Sequence, residues 1–391
     1  MSNRTHTLLT AGATAVAAML LAACSPGTTD DSGSGNGSGS GSSSGADSPV
    51  ADVQADVEAA METQDSFEVP SDPVDTSALA GKTVYHIPLT AQVRIFQLNG
   101  STIGEALETA GASLTTCDGG ANPSQVSGCF DQAIGADAAA IVADGIPYGM
   151  AANSFDAAHA AGIPVVITNL LEDPEHPADD TLFYMPQPAI DMVTSVADAM
   201  IADSDGQATV VLQEVTDNYS TIGMADAVEQ EFADRCPDCT VVVNEVTAAN
   251  FPLVAPSTSS AILSNPDTGY VFPLFEHFIQ PTIGGIQQTP NAAQIKIAAA
   301  SATAAGLQQI SEDSPVFAMA APNIPYQAWG TADAIFRLVA GQELPEYAIS
   351  YRLFTQDNIG DIEPTEDAEA SGEWYGPTDY KEQFAALGGQ S

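Results

Sequence analysis

The chain has 391 residues, 45% of them hydrophobic, which is enough material for two domains but not clearly for three. Its 51 Asp and Glu stand against 8 Lys and Arg, a formal net charge of −43. Phosphate backbones and anionic headgroups are repelled by such a surface, so nucleic acid is excluded as a partner, and the shortage of lysine fits a saline habitat in which counter-ions screen self-repulsion.

Residues 1–23 read as an export signal: Arg4 comes early, and the apolar run from Leu8 to Leu21 is too short and too rich in Ala and Gly to span a membrane. Leu21-Ala22-Ala23-Cys24 resembles the lipobox of bacterial lipoproteins, which implies cleavage before Cys24 and a diacylglycerol on its sulfur. Ser25 to Ser48 is almost entirely Ser, Gly, Asp, Thr and Asn, a flexible tether with nothing to form a core. These features place the mature protein outside the cytoplasmic membrane, held to it by lipid.

Four further cysteines fall as two close pairs, Cys117 with Cys129 and Cys236 with Cys239. An even count in an exported chain argues for disulfides, whose connectivity the sequence leaves open. Cys236-Pro237-Asp238-Cys239 has redox-motif spacing, but it follows the helical run Thr221 to Phe232, where the helix dipole raises a thiol pKa. It therefore reads as a structural clip. Zinc held by all four cysteines is disfavoured by their separation and by the export context.

In chain order, Val50 to Gln64 has helical patterning and leads through a Pro-broken segment to Ala80. From Lys82 strand and helix alternate, the pattern of a parallel sheet covered on both faces. Strands are expected at Thr83–Leu89, Ser113–Cys117, Ala139–Ala143, Val165–Asn169 and Leu182–Met185, with helices at Phe96–Ala110, Pro123–Ile134 and Tyr148–Ala161. Asn122-Pro123 is a helix start, with Asn as cap and Pro in the first turn. After the acidic, Pro-containing stretch Leu171 to Thr181 the alternation resumes with a helix at Pro188–Ala202 and strands at Thr209–Glu214, Thr240–Val246, Gly269–Leu274, Gln294–Ala300 and Val316–Ala320. The helix Tyr326–Ala340 and a strand-like run Tyr347–Phe354 follow. The fold class is α/β, two doubly wound parallel-sheet lobes. Ligands bind at the carboxyl ends of strands in such sheets, so Thr90, Gln92, Arg94 and Phe96, just beyond the first strand, are binding candidates.

The run GKTVYHIPLT, then DGGANPSQVSGCFDQAIGADAAAIVADGI, then AHAAGIPVVITN, resembles the amino lobe of the type I periplasmic binding proteins, the ribose-binding group. The resemblance covers about Gly81 to Phe354 and implies two lobes joined by three crossings, near Met185, Ala321 and Ile349, with a solute held between them. The implied plan is signal 1–23, anchored tether 24–49, lead-in 50–80, first lobe 81–185 plus 321–348, second lobe 186–320 plus 349–360, and acidic tail 361–391. Matching positions imply ligand contacts at Thr90, Gln92, Phe96 and Asn169 from the first lobe. Asn218, Tyr219, Ser220, Phe251, Phe275 or Glu276, and Ser301 are implied from the second, with Asn323 at the second crossing. Sugar binders of this family place Asp-Arg, Arg and Asp where this chain has Asn169-Leu170, Ser220 and Ser301. What remains is rich in aromatics and amides, with Arg94 and Glu276 as the nearby charges. It suits a neutral solute with an apolar face stacked between Phe96 and Phe251. His86 reads as a core residue, His159 as a helix-face residue, and His277 as a local partner of Glu276.

The expected function is delivery of a small neutral solute, a sugar, polyol or less polar ring compound, to the permease of an ABC importer by a monomer. A ligand-presenting sensor is the alternative. An enzyme finds little support: Gly41-Ser42-Ser43-Ser44-Gly45 mimics a nucleophile elbow but lies in the tether, and no phosphate loop, His-Glu-x-x-His or dinucleotide fingerprint occurs. No cofactor or metal is expected.

Overall fold

The computed structural model describes residues 49–388 apart from residue 312, so the export signal, Cys24 and the tether to residue 48 lie outside the described residues. The chain opens with α1 (Pro49–Met61) and then builds β1 (Thr83–Pro88), α2 (Arg94–Glu108), β2 (Ser113–Thr116), α3 (Pro123–Gly135), β3 (Ala140–Asp144), α4 (Ala152–Ala160), β4 (Val165–Thr168) and β5 (Leu182–Tyr184). Next come α5 (Ala189–Asp203), β6 (Thr209–Val215), α6 (Tyr219–Arg235), β7 (Thr240–Val246), α7 (Val254–Ser264), β8 (Tyr270–Phe272), α8 (Ile279–Ile286), β9 (Lys296–Ala300), α9 (Ala304–Leu307) and β10 (Val316–Pro322). The chain closes with α10 (Ile324–Ala340), β11 (Tyr351–Thr355), α11 (Glu366–Ser371) and α12 (Tyr380–Leu387).

The strands form two sheets. The first, in the order β2-β1-β3-β4-β5, is wholly parallel; the second, β11-β10-β9-β8-β6-β7, is parallel except for β11. Each sheet is covered on both faces, because successive strand residues point to opposite sides. In the first lobe Val84, Val142 and Val166 pack under α2 and α10, while Tyr85, Ile141 and Ile167 pack against α3 and α4. In the second, Val210 and Leu212 face α5 and α6, and Val211 faces the opposite layer. Local signals hold where they are strongest: the Asn122 side chain accepts from the Ser124 and Gln125 amides with Pro123 in the first turn. Gly341 closes α10 in the left-handed conformation that an L side chain resists. Both cysteine pairs, Cys117–Cys129 and Cys236–Cys239, are bonded as neighbours, the second just past the carboxyl end of α6.

Three passages connect the sheets: from β5 to α5, from β10 to α10, and from α10 to β11. The last falls between Tyr347 and Tyr351, but the strand expected from Tyr347 starts later. The Tyr347 ring lies against Gly330 of α10 and its hydroxyl donates to Asp333, so the chain stays on the first lobe until β11 begins at Tyr351.

The two ends add further passages. Helix α1 packs its Val53 into the second lobe, after which Val74 and Leu79 are buried in the first. The terminal segment, expected as an acidic tail, is folded. Its carboxylates Glu366, Asp367, Glu373 and Glu382 face solvent, whereas Trp374 and Tyr375 are buried in the second lobe and Tyr380 and Phe384 in the first. The backbone of Gln64 donates to that of Tyr375, and Phe67 packs at a tilt on Tyr326 and edge-on to Tyr380, so the two segments meet beside the crossings. Trp374, 1% exposed, packs edge-on to Phe354. Trp374→Ala should cost about 3–5 kcal/mol, the penalty for emptying a buried aromatic site. Chemical denaturation checks this, and an unchanged midpoint would mean that the tail adds nothing to the core.

Candidate ligand-binding site

The carboxyl ends of the two sheets meet. Leu171, three residues past β4, donates its amide to Ser220 Oγ at 3.0 Å and accepts the Tyr219 hydroxyl at 2.6 Å; both partners lie at the start of α6, just past β6. Parallel strands place all their carboxyl ends on one side, so this contact brings the loops after β1, β3 and β4 near those after β6 to β9.

On the first lobe these loops rest on a buried carboxylate. Asp144 ends β3 and is fully buried with His86, Asn99 and Thr168 around it. It accepts from His86 Nε2 at 3.0 Å, Asn99 Nδ2 at 3.0 Å, Thr168 Oγ1 at 2.9 Å and Asn169 Nδ2 at 2.6 Å. Residues 84, 86, 140, 142, 144, 166 and 168 share one face by strand parity, so His86, Asp144 and Thr168 are the polar last row of a face that is otherwise apolar. Four donors compensate the desolvation of the carboxylate. Asn169 is held with φ +59°, a conformation that costs a non-glycine residue free energy. Phe96 lies against Gly145, where a Cβ would come within 2.6 Å of its ring. Thr90 Oγ1 accepts the Gln92 amide at 3.3 Å, and the Gln92 side chain is exposed.

On the second lobe an aromatic group follows β7 and β8. The rings of Phe275 and His277 are near parallel at 5.8 Å, Phe251 and His277 at 6.5 Å, and Phe278 lies 4.3 Å from His277. Phe251 is 38% exposed, a large apolar surface left open at the strand ends. Leu274 and Ser301, just past β8 and β9, are also left-handed, at φ +61° and +59°. Strained backbone thus recurs at three strand ends on the side where the lobes meet.

The same two-lobed arrangement occurs in solved structures, although no protein-family model and no curated protein matches the chain. A 5-methylthioribose transporter solute-binding protein from Thermotoga lettingae, bound to 5-methylthioribose, is 18% identical with a TM-score of 0.64, covering 83% of this chain and all of that one. A protein from Mycobacterium smegmatis in complex with β-D-fucofuranose is 18% identical with a TM-score of 0.62, covering 74% of this chain and 96% of that one. An ABC transporter solute-binding protein from Agrobacterium vitis with bound allitol is 12% identical with a TM-score of 0.62, covering 72% and 97%. The chain has the type I periplasmic-binding-protein fold.

In this binding-protein fold the candidate side chains have distinct surroundings. Thr90, Gln92, Phe96 and Asn169 lie at the first sheet's carboxyl edge, and Phe251, Phe275 and Ser301 at the second's. The others, like Asn169 on Asp144 and Thr90 on Gln92, hold intramolecular partners. Arg94 Nε pairs with Glu369 of α11 at 2.9 Å, and Glu369 also accepts the Ala304 amide at 3.2 Å. Glu276 turns away from His277: one oxygen accepts the Thr303 amide at 2.5 Å and the other the Thr303 hydroxyl at 2.9 Å. Burial raises its pKa above the usual carboxylate range, against the pull of those two bonds. Asn218 caps α6, and Asn323, fully buried, caps α10. The reading of His277 as the partner of Glu276 is therefore corrected; it belongs to the aromatic group. The signal for it was present in Phe275-Glu276-His277-Phe278, two aromatics bracketing a histidine just past a strand. Among the described residues no group of three or more His, Cys, Asp or Glu is placed to hold a metal, and no helix is long and apolar enough to cross a membrane.

His277 has solvent-exposed surface yet is crowded by protein, as a side chain in a concavity is, and that desolvation pushes its pKa down to about 4. Solvent access moderates the size of the shift but not its sign. The folded state binds fewer protons than the unfolded chain between about pH 4 and 6.5, so stability rises with pH across that window. NMR titration should place the His277 midpoint below 6.5, and His277→Phe should flatten the dependence of melting temperature on pH there; a midpoint at or above 6.5 contradicts this account.

Proposed function

We propose that the protein is an extracytoplasmic solute-binding lipoprotein, anchored through Cys24, that captures a small neutral sugar, polyol or less polar ring compound between its lobes. It delivers that solute to the permease of an ABC importer. The supporting observation is the meeting of the two carboxyl edges through Leu171, Tyr219 and Ser220. The structural neighbours, with a methylthiopentose, a furanose and a polyol bound, support the same class of solute.

Charge narrows the class. Arg94 is paired with Glu369 and Glu276 is spent on Thr303, so neither is free to grip a ligand through charge-assisted bonds. Directional recognition then falls to Asn169, Gln92 and Thr90, and apolar contact to Phe96, Phe251 and Phe275. The structural neighbours are solute-binding proteins of transporters, which supports a binding role over an enzymatic one. Solute binding shifts the lobes to a closed form by differential affinity, and closure aligns both lobe tips for the permease.

A thermal-shift screen of the purified protein against sugars, polyols and thiosugars such as 5-methylthioribose tests the proposal. A ligand at about 100 times its Kd adds about 2.7 kcal/mol of stability. Absence of a shift across all three classes would overturn the solute assignment. With a hit in hand, Phe251→Ala should weaken binding about tenfold, the scale of one aromatic stacking contact. Its unliganded melting temperature should change little; a marked drop would assign Phe251 to the core instead.

A further inference from the structure

The lobes are tied at two places along their facing carboxyl edges. One is the contact of Leu171, past β4, with Tyr219 and Ser220, past β6. The other is carried by the terminal segment. Glu369 of α11 accepts from Arg94 Nε at 2.9 Å through one oxygen and from the Ala304 amide at 3.2 Å through the other. Arg94 opens α2, just past β1, and Ala304 opens α9, just past β9. A single carboxylate therefore touches the stretch that carries Phe96 on the first lobe and the stretch that carries Ser301 on the second.

Strand order sets the spacing of the two ties. In the first sheet β1 and β4 are separated by β3, and in the second β9 and β6 are separated by β8. The tie joining β1 to β9 and the tie joining β4 to β6 thus lie two strands apart, about 10 Å, with the loops after β3 and β8 between them. Gly145, against which Phe96 rests, follows β3, and Phe275 and His277 follow β8. The ties therefore flank the residues that would meet a solute.

When the lobes part, Glu369 stays with the second. Ala368 beside it is buried in that lobe's core, and Gln308, just past α9, donates to the Pro364 carbonyl at 2.7 Å. Arg94 stays with the first. Glu276 accepts the Thr303 amide and Glu369 the Ala304 amide, so two carboxylates sit on consecutive amides. Arg94 brings a cation to Glu369, which is 5% exposed; withdrawing it leaves like charges side by side in a poorly hydrated place. The ion pair opposes separation.

We propose that Glu369 is a positioning residue of the solute site: with Arg94 it forms an ionic latch between the lobes that holds the stretches bearing Phe96 and Ser301 at a fixed separation before any solute arrives. The use of the latch rests on the solute-binding reading; its existence does not, and it is tested with no solute present.

Amide hydrogen exchange of the purified full chain is the test, with the Leu171 amide as reporter, because that amide is bonded across the lobes at the other tie. Arg94→Gln and Glu369→Gln should each speed its exchange about tenfold, the scale of one charge-assisted hydrogen bond. The two substitutions change net charge in opposite directions, so a shared effect does not come from overall repulsion. The double variant should be no faster than the faster single one, since both remove the same bond. The Ile141 amide, bonded inside the first sheet, should stay slow throughout, and in Arg94→Gln the Ala304 amide should stay slow too, its acceptor being intact. Glu366→Gln, at an exposed carboxylate 3.6 Å from Arg94, should change Leu171 exchange by less than about twofold. Unchanged Leu171 exchange in Arg94→Gln overturns the latch. Acceleration confined to Ala304 in Glu369→Gln makes Glu369 a structural cap and overturns it equally. Acceleration by Glu366→Gln as large as that by Glu369→Gln overturns the choice of Glu369. If Glu369→Gln loses protection at Ile141 as well, Arg94→Gln decides alone, its side chain being 34% exposed and so tolerant of change.

Discussion

Everything in this molecule follows from strands that run parallel. A parallel strand is reached only through a crossover helix, so each sheet is clothed on both faces and its loops are sorted into an amino edge and a carboxyl edge. Sorting puts Asn169, Leu274 and Ser301, all left-handed, at the carboxyl edges. Two lobes that meet carboxyl edge to carboxyl edge through Leu171 thereby bring their binding-type edges together.

The first lobe's edge depends in turn on a buried carboxylate. Asp144 gathers donors from β1, from the end of β4 and from α2, so Asn169, just past β4, and His86, beneath α2, are oriented by the same group. A charge so placed is costly unless fully bonded, and its bonding is what gives the edge a single geometry. The second lobe is built differently. Its edge carries stacked rings and a carboxyl turned inward onto Thr303, so it offers area where the first offers direction.

The segments at both ends of the described residues are used as straps. The lead-in goes from α1 on the second lobe to Leu79 on the first, and the terminal segment goes from Trp374 on the second to Tyr380 on the first. Arg94 adds an ion pair from α2 to α11, the first helix of the terminal segment. Relative motion of the lobes must carry these segments with it, which couples any closure to the packing of Phe67, Tyr326 and Tyr380.

The sequence by itself determined the two-lobed α/β fold, since short continuous apolar strands, amphipathic helices alternating with them and a cap such as Asn122 are local and additive. It also determined which loops leave the carboxyl ends, and so which residues are candidates for the site. Contacts between distant segments were out of its reach. The pairings of Arg94 with Glu369, 275 residues apart, and of Glu276 with Thr303 depend on where helices dock, not on any spacing in the chain. The same holds for the terminal segment: its carboxylates dominate the composition, yet Trp374, Tyr375, Tyr380 and Phe384 decide its fate once two apolar surfaces are close enough to receive them. His277 was assigned to its neighbour in sequence because proximity along the chain is all that a sequence displays. Tertiary structure gave it to the rings of Phe251 and Phe275, because side-chain direction is set by the turn after β8 and by what packs beneath it.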